Sequence, residues 1–69
     1  MTAVRVQING EPCELAAGTT VARLVGTRCP SEHGVAVAMN REVVPRSEWA
    51  ATVVPDGAKV EIVTAAAGG

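Results

Sequence analysis

Val4, Val6 and Ile8 alternate with Arg5 and Gln7, a period of two that predicts a strand with one buried face. Asn9-Gly10 follows, and both residues tolerate the positive φ that a type I′ hairpin turn demands. The return strand runs from Glu11 to Leu15, with Cys13 and Leu15 on the inward parity. Pro12 cannot donate to a sheet ladder, so this strand belongs at an edge. Val21, Leu24 and Val25 then recur at i, i+3 and i+4, which predicts a short amphipathic helix over about residues 21 to 28, opened by Thr19 or Thr20 as N-cap. Gly26 weakens that helix or ends it early, and Pro30 cannot continue it.

After a loop through Ser31, Glu32, His33 and Gly34, the run Val35-Ala36-Val37-Ala38-Met39 is apolar on both parities, as a central strand is. Asn40-Arg41 repeats the earlier turn with Arg in the place where Gly is easier, at a cost of order 1 kcal/mol. Val43 and Val44 complete the second hairpin, and Pro45 closes it. Ser47 is the expected N-cap of a single helical turn carrying Trp49, whose ring should cover one end of the core while its indole N–H finds a carbonyl or water. Pro55-Asp56-Gly57 forms a turn, and Val60 and Ile62 alternate with Lys59 and Glu61 in a last strand. The order is strand, strand, helix, strand, strand, strand. Neither hairpin nor helix can bury its apolar face alone, so the elements predict an α+β fold: one mixed sheet of about five strands with the helix laid across it. If the first and last strands pair side by side at its centre, the end of the chain projects outward from the sheet.

Sixty-nine residues make one domain. With 48% apolar residues, 19% charged and a net charge of −1, the chain is no disordered segment and presents no basic surface for nucleic acid. Trp49 is the sole aromatic, so the core is built of Val, Leu, Ile, Met and Ala. No segment approaches the ~18 apolar residues of a membrane span, and the start of the chain is not a secretion signal. A cytoplasmic protein with Cys13 and Cys29 as reduced thiols is expected.

Catalytic chemistry inside the chain is hard to assemble. Cys29 and His33 are four positions apart, but a structural zinc site wants four ligands, and nothing orients His33 as a base toward Cys29. The carboxylates are scattered, and no glycine fingerprint for phosphate is present. The chain is expected not to be an enzyme and to bind no metal. What remains is the end of the sequence, Thr64-Ala65-Ala66-Ala67-Gly68-Gly69. Two residues without Cβ can pass a slot that any side chain would block, and the α-carboxylate of Gly69 is the reactive group there. Extended, the five residues from Ala65 reach roughly 16–18 Å, which suits delivery into another protein's active site. A frayed tail or a cloning scar is the plainer alternative. A second expectation is an apolar docking face of Ala36 and Ala38, extended by Val44 or Val63, unless the fold itself covers it.

Three stretches, Gly34 to Asn40, Glu42-Val43-Val44-Pro45-Arg46-Ser47-Glu48-Trp49, and Asp56-Gly57 with Val60 to Ala65 and Gly68-Gly69, resemble the bacterial ThiS-type sulfur carriers of thiamine biosynthesis. Asn9-Gly10-Glu11 and the helix start Thr20-Val21-Ala22 fit as well; Ala16 to Thr19 and Gly26 to His33 match loosely. Arg41 departs from the usual turn glycine, and Arg28-Cys29-Pro30 from an apolar helix end.

The resemblance implies the ubiquitin-like β-grasp fold, ββαβββ, over residues 1–64, with 65–69 as a flexible tail. It further implies that a ThiF-type, ATP-using adenylyltransferase converts the Gly69 carboxylate to an acyl-adenylate. Sulfur from a persulfide donor of the cysteine desulfurase type then leaves a thiocarboxylate, which a ThiG-type thiazole synthase consumes. On this reading Gly69 carries the sulfur, Gly68 gives steric clearance, and Ala65, Ala66 and Ala67 are a small-side-chain leash. The carrier would hold no cofactor of its own, would be monomeric when free, and would contact neither nucleic acid nor membrane. The small subunit of molybdopterin synthase shares the features of the end, as would a ubiquitin-like protein modifier or a plain β-grasp binding module with an idle tail.

Overall fold

In the computed structural model, which describes residues 2–29 and 34–64, β1 (Ala3–Ile8) turns through Asn9 and Gly10 into β2 (Glu11–Ala16). The helix α1 (Val21–Arg28) is followed by β3 (Val35–Met39), β4 (Glu42–Val44), a 3-10 helix (Arg46–Ala51) and β5 (Lys59–Thr64). The sheet has the order β2-β1-β5-β3-β4. β1 and β5 pair in parallel through Gln7 with Lys59 and Ile8 with Val60, and the other neighbours are antiparallel. The first and last strands thus meet inside the sheet, and Pro12 sits on edge strand β2 opposite Gln7, as the sequence predicts.

Period-two alternation puts Val6 and Ile8 of β1, Val37 of β3, Val44 of β4 and Val60 of β5 on the inward face. The helix meets them with Val21, Leu24 and Val25, each at most 2% exposed. Thr20 caps α1, its Oγ1 accepting from the Arg23 N–H at 3.2 Å. Gly26 does not end the helix. It lies exposed in the interior, and the helix continues to Arg28 because the buried triad, not local propensity, holds it. Cys13, placed inward by its parity, is only half-buried, on edge strand β2.

Ser47 is not the N-cap of the turn that carries Trp49. The 3-10 helix starts two residues earlier than such a cap would allow, at Arg46, with Pro45 in extended conformation at the cap position and the Glu48 N–H donating to the Pro45 carbonyl at 2.8 Å. Proline's fixed φ sets the entry, so no side-chain cap is needed. Trp49 is buried at 3%, and its indole N–H donates to the Val44 carbonyl at 2.8 Å. It is a packing residue that props the short strand β4. The Pro55–Gly57 turn ties down β1 in a comparable way: Asp56 Oδ1 accepts from the Arg5 N–H at 2.8 Å and the Gly57 N–H donates to the Arg5 carbonyl at 2.7 Å.

The two hairpins use the same turn. Asn9 and Gly10 have φ of 53° and 84°, Asn40 and Arg41 of 53° and 71°, both of them type I′ geometry. Each asparagine also fastens β5. Asn40 N–H donates to the Lys59 carbonyl at 2.8 Å, and Asn40 Oδ1 accepts from the Lys59 N–H at 3.0 Å. Asn9 N–H donates to the Val60 carbonyl at 2.8 Å, while its Oδ1 accepts from the Ile62 N–H at 2.8 Å and its Nδ2 donates to the Ile62 carbonyl at 3.2 Å. In a continuing ladder the residue's own carbonyl would take these N–H groups. Here the chain turns away and the carboxamide, itself a peptide analogue, serves instead.

Candidate functional site: the end of β5 and the open sheet face

β5 is the strand from which the end of the chain departs. Its inward residues are Val60, 1% exposed, and half-buried Ile62, and its outward ones are Lys59, Glu61 and Val63. On one side it pairs with β3 as far as Val35 opposite Thr64; on the other, β1 stops at Ile8 opposite Val60, and among the described residues the Asn9 carboxamide alone reaches farther. Ala65, Ala66, Ala67, Gly68 and Gly69 follow Thr64 and lie outside the described residues, as does His33.

The sheet face turned away from α1 divides in two. Toward β1 and β2 it is polar, with Arg5, Gln7 and Glu14 exposed. Toward β3 and β4 it is apolar. Ala36 is exposed and pairs with Val63, which is 61% exposed; half-buried Ala38 lies between Glu61 and Val43, and Val43 is 76% exposed. The predicted face is therefore open rather than covered, and its upper margin adjoins the strand end at Thr64.

Val44 does not belong to it. The two-residue turn fixes Met39 opposite Glu42, hence Ala38 opposite Val43 and Val37 opposite Val44, and Val37 is 1% exposed. Neighbouring residues on a strand face opposite ways, so Val44, 8% exposed, is core, and Val43 takes the outward place. The signal was present in the sequence: a two-residue Asn-Arg turn and an inward Val37 together dictate that register.

The two cysteines do not form a site. Both are free thiols and half-buried, Cys13 with Arg28 Nη2 at 3.4 Å from its Sγ. Among the described residues no cluster of three or more His, Cys, Asp or Glu is placed to hold a metal ion. Nor is any described helix long and apolar enough to cross a membrane. The geometry supplies an exposed apolar surface beside the described end of β5, which can dock a partner.

Comparison with known proteins agrees on one family. The family model described as the ThiS family matches residues 6–69. A sulfur carrier protein ThiS of Escherichia coli is 33% identical over 66 residues, covering 96% of this chain and 100% of that one. A thiazole synthase of Paramagnetospirillum magneticum is 41% identical over 66 residues, again 96% of this chain, which spans only 20% of the synthase's length. The crystal structure of a thiamine biosynthesis protein, ThiS, from Geobacter metallireducens superposes with a TM-score of 0.79 at 30% identity, covering 96% of this chain and 100% of that one.

Proposed function

The chain belongs to the ThiS family, with the β-grasp fold of its solved relative, and on that premise we propose that it is a cytoplasmic sulfur carrier of thiamine biosynthesis. The observation that carries this reading is the similarity to the E. coli sulfur carrier over that protein's whole length. The reacting group is the Gly69 carboxylate. A carboxylate is a poor electrophile; a ThiF-type adenylyltransferase makes it attack the α-phosphate of ATP, releasing pyrophosphate and leaving an acyl-adenylate with AMP as leaving group. A persulfide of the cysteine desulfurase type displaces AMP to give an acyl disulfide, and a second thiol resolves this to the thiocarboxylate. In the carrier's own chain Gly68 and Gly69 thread the partner's site, and Ala65, Ala66 and Ala67 keep the leash narrow.

The consumer of the sulfur is a ThiG-type thiazole synthase. The similarity of this chain to one stretch of a thiazole synthase supports that pairing, since it puts carrier-like sequence and synthase on one polypeptide. Docking falls to the open apolar strip of Ala36, Ala38, Val43 and Val63, which borders the strand end. Ala36→Glu is expected to leave the melting temperature unchanged and to abolish measurable partner binding in a titration; unaltered affinity would move the interface elsewhere.

Intact mass decides the main reading. After incubation with ATP, sulfide and the adenylyltransferase, the protein should gain the difference between one sulfur and one oxygen, and the folded Gly69→Val variant should gain nothing. No gain in the presence of a demonstrably active adenylyltransferase would overturn the carrier assignment.

A further inference from the structure

The carrier reading leaves open how a strand end becomes a well-aimed substrate, and the Asn9 side chain answers it. β5 runs four residues past the last residue that β1 pairs, Val60. Over those residues the β3 side is laddered to Thr64, whereas the β1 side would be a bare strand edge. One carboxamide fills it, accepting from the Ile62 N–H at 2.8 Å and donating to the Ile62 carbonyl at 3.2 Å. Asn9 itself is fixed by its N–H to the Val60 carbonyl at 2.8 Å and by a φ of 53° that aims its side chain along the strand. Ile62 is two residues before Thr64, where the described part of β5 ends.

Resting on the carrier reading, we propose that Asn9 is a positioning residue for the reaction at Gly69: acting through the backbone of Ile62, it holds the end of β5, up to Thr64, in the sheet so that the adenylyltransferase meets an ordered strand end. Without it, Val63 and Thr64 are held from the β3 side alone, and the partner must order them on binding. Asn40 supplies an internal control. It makes the same kind of carboxamide bond to β5, but at Lys59, the opposite end of the strand from Thr64.

The test compares Asn9→Gly with Asn40→Gly, since glycine accepts the positive φ of either turn and only the carboxamide is lost. In Asn9→Gly, amide exchange at Ile62 should accelerate roughly tenfold or more beyond the change in the core strands. The KM of the carrier for the adenylyltransferase should rise roughly tenfold, the size set by the conformational freedom of about one backbone residue, with kcat held within about twofold. Asn40→Gly should lower the melting temperature and leave KM where it was. An equal rise of KM in both variants would overturn the proposal by reducing Asn9 to a stability residue. So would faster exchange at Ile62 with KM unmoved, or unaltered exchange at Ile62. A wild-type protein that is never adenylated defeats the carrier reading and the positioning role together, an outcome distinct from all of these because it appears before any variant is made.

Discussion

The two hairpins share a turn and differ in what holds them. β1–β2 has six residues in each strand, a register of six pairs, and Gly10 where the turn needs a second positive φ. β3–β4 pairs only three residues and places Arg41 at that position, with φ of 71°. A three-residue strand with a strained turn is a poor hairpin by itself. What rescues it is tertiary: Trp49 fills the space beneath β4 and bonds the Val44 carbonyl, and Val44 packs inward. The first hairpin therefore owes most to its local ladder and turn, the second to the core.

Trp49→Ala is the sharpest way to break this contrast. Removing a fully buried indole and its hydrogen bond costs about 3–5 kcal/mol, a large share of the stability of a domain this small. Denaturant titration should show the loss. In the surviving folded fraction, amide exchange should accelerate first in residues 42–44 and leave β1–β2 protected. Uniform exchange across both hairpins would mean that the second is no more dependent on Trp49 than the first.

That dependence explains which parts of the molecule were legible in the sequence. Every strand was, because alternation in Val4–Ile8 and Val60–Ile62 and two asparagine turns are local signals. The single mixed sheet followed from the need to bury both hairpins and the helix, whereas the pairing of β1 with β5 joins the two ends of the chain and no local signal dictates it. Val44 and Ser47 were misplaced where two adjacent residues compete for one role: Val43 or Val44 for the outward face, Ser47 or Pro45 for the cap. Register and proline geometry decide those cases, and both need the neighbouring element. The asparagine clamps were invisible for another reason, since Asn9 finds its partner at Ile62, 53 positions away. The outward strip was half legible: Ala36, Ala38 and Val63 lie on the outward sheet face, and Val43 joins them only with the register. The expectations on Ala65 to Gly69 fall outside the described residues.

The turns can be exchanged to sharpen the comparison further. A Cβ built at Gly10 meets no other atom within 4 Å, so Gly10→Arg costs only the backbone conformation, about 1–2 kcal/mol, offset by about 0.5–1 kcal/mol from the stiffer unfolded chain. Thermal unfolding should register it without any change in the exchange pattern of β3 and β4. A loss well beyond that range would show that the first hairpin is also under strain from its surroundings.

The reverse exchange, Arg41→Gly, carries an effect no larger and the more instructive sign. Relieving a positive φ gains about 1–2 kcal/mol, but glycine also loosens the unfolded chain, which takes back about 0.5–1 kcal/mol. The net expectation is a modest rise in melting temperature, on the order of 0.5–1 kcal/mol in stability. The rise should come from slower unfolding if the β3–β4 turn closes late in folding, after Trp49 has docked, because interactions absent from the transition state act on the unfolding rate. Faster folding with unfolding unchanged would mean that this turn forms early and by itself. The second hairpin would then be locally driven like the first, and the contrast between them would disappear.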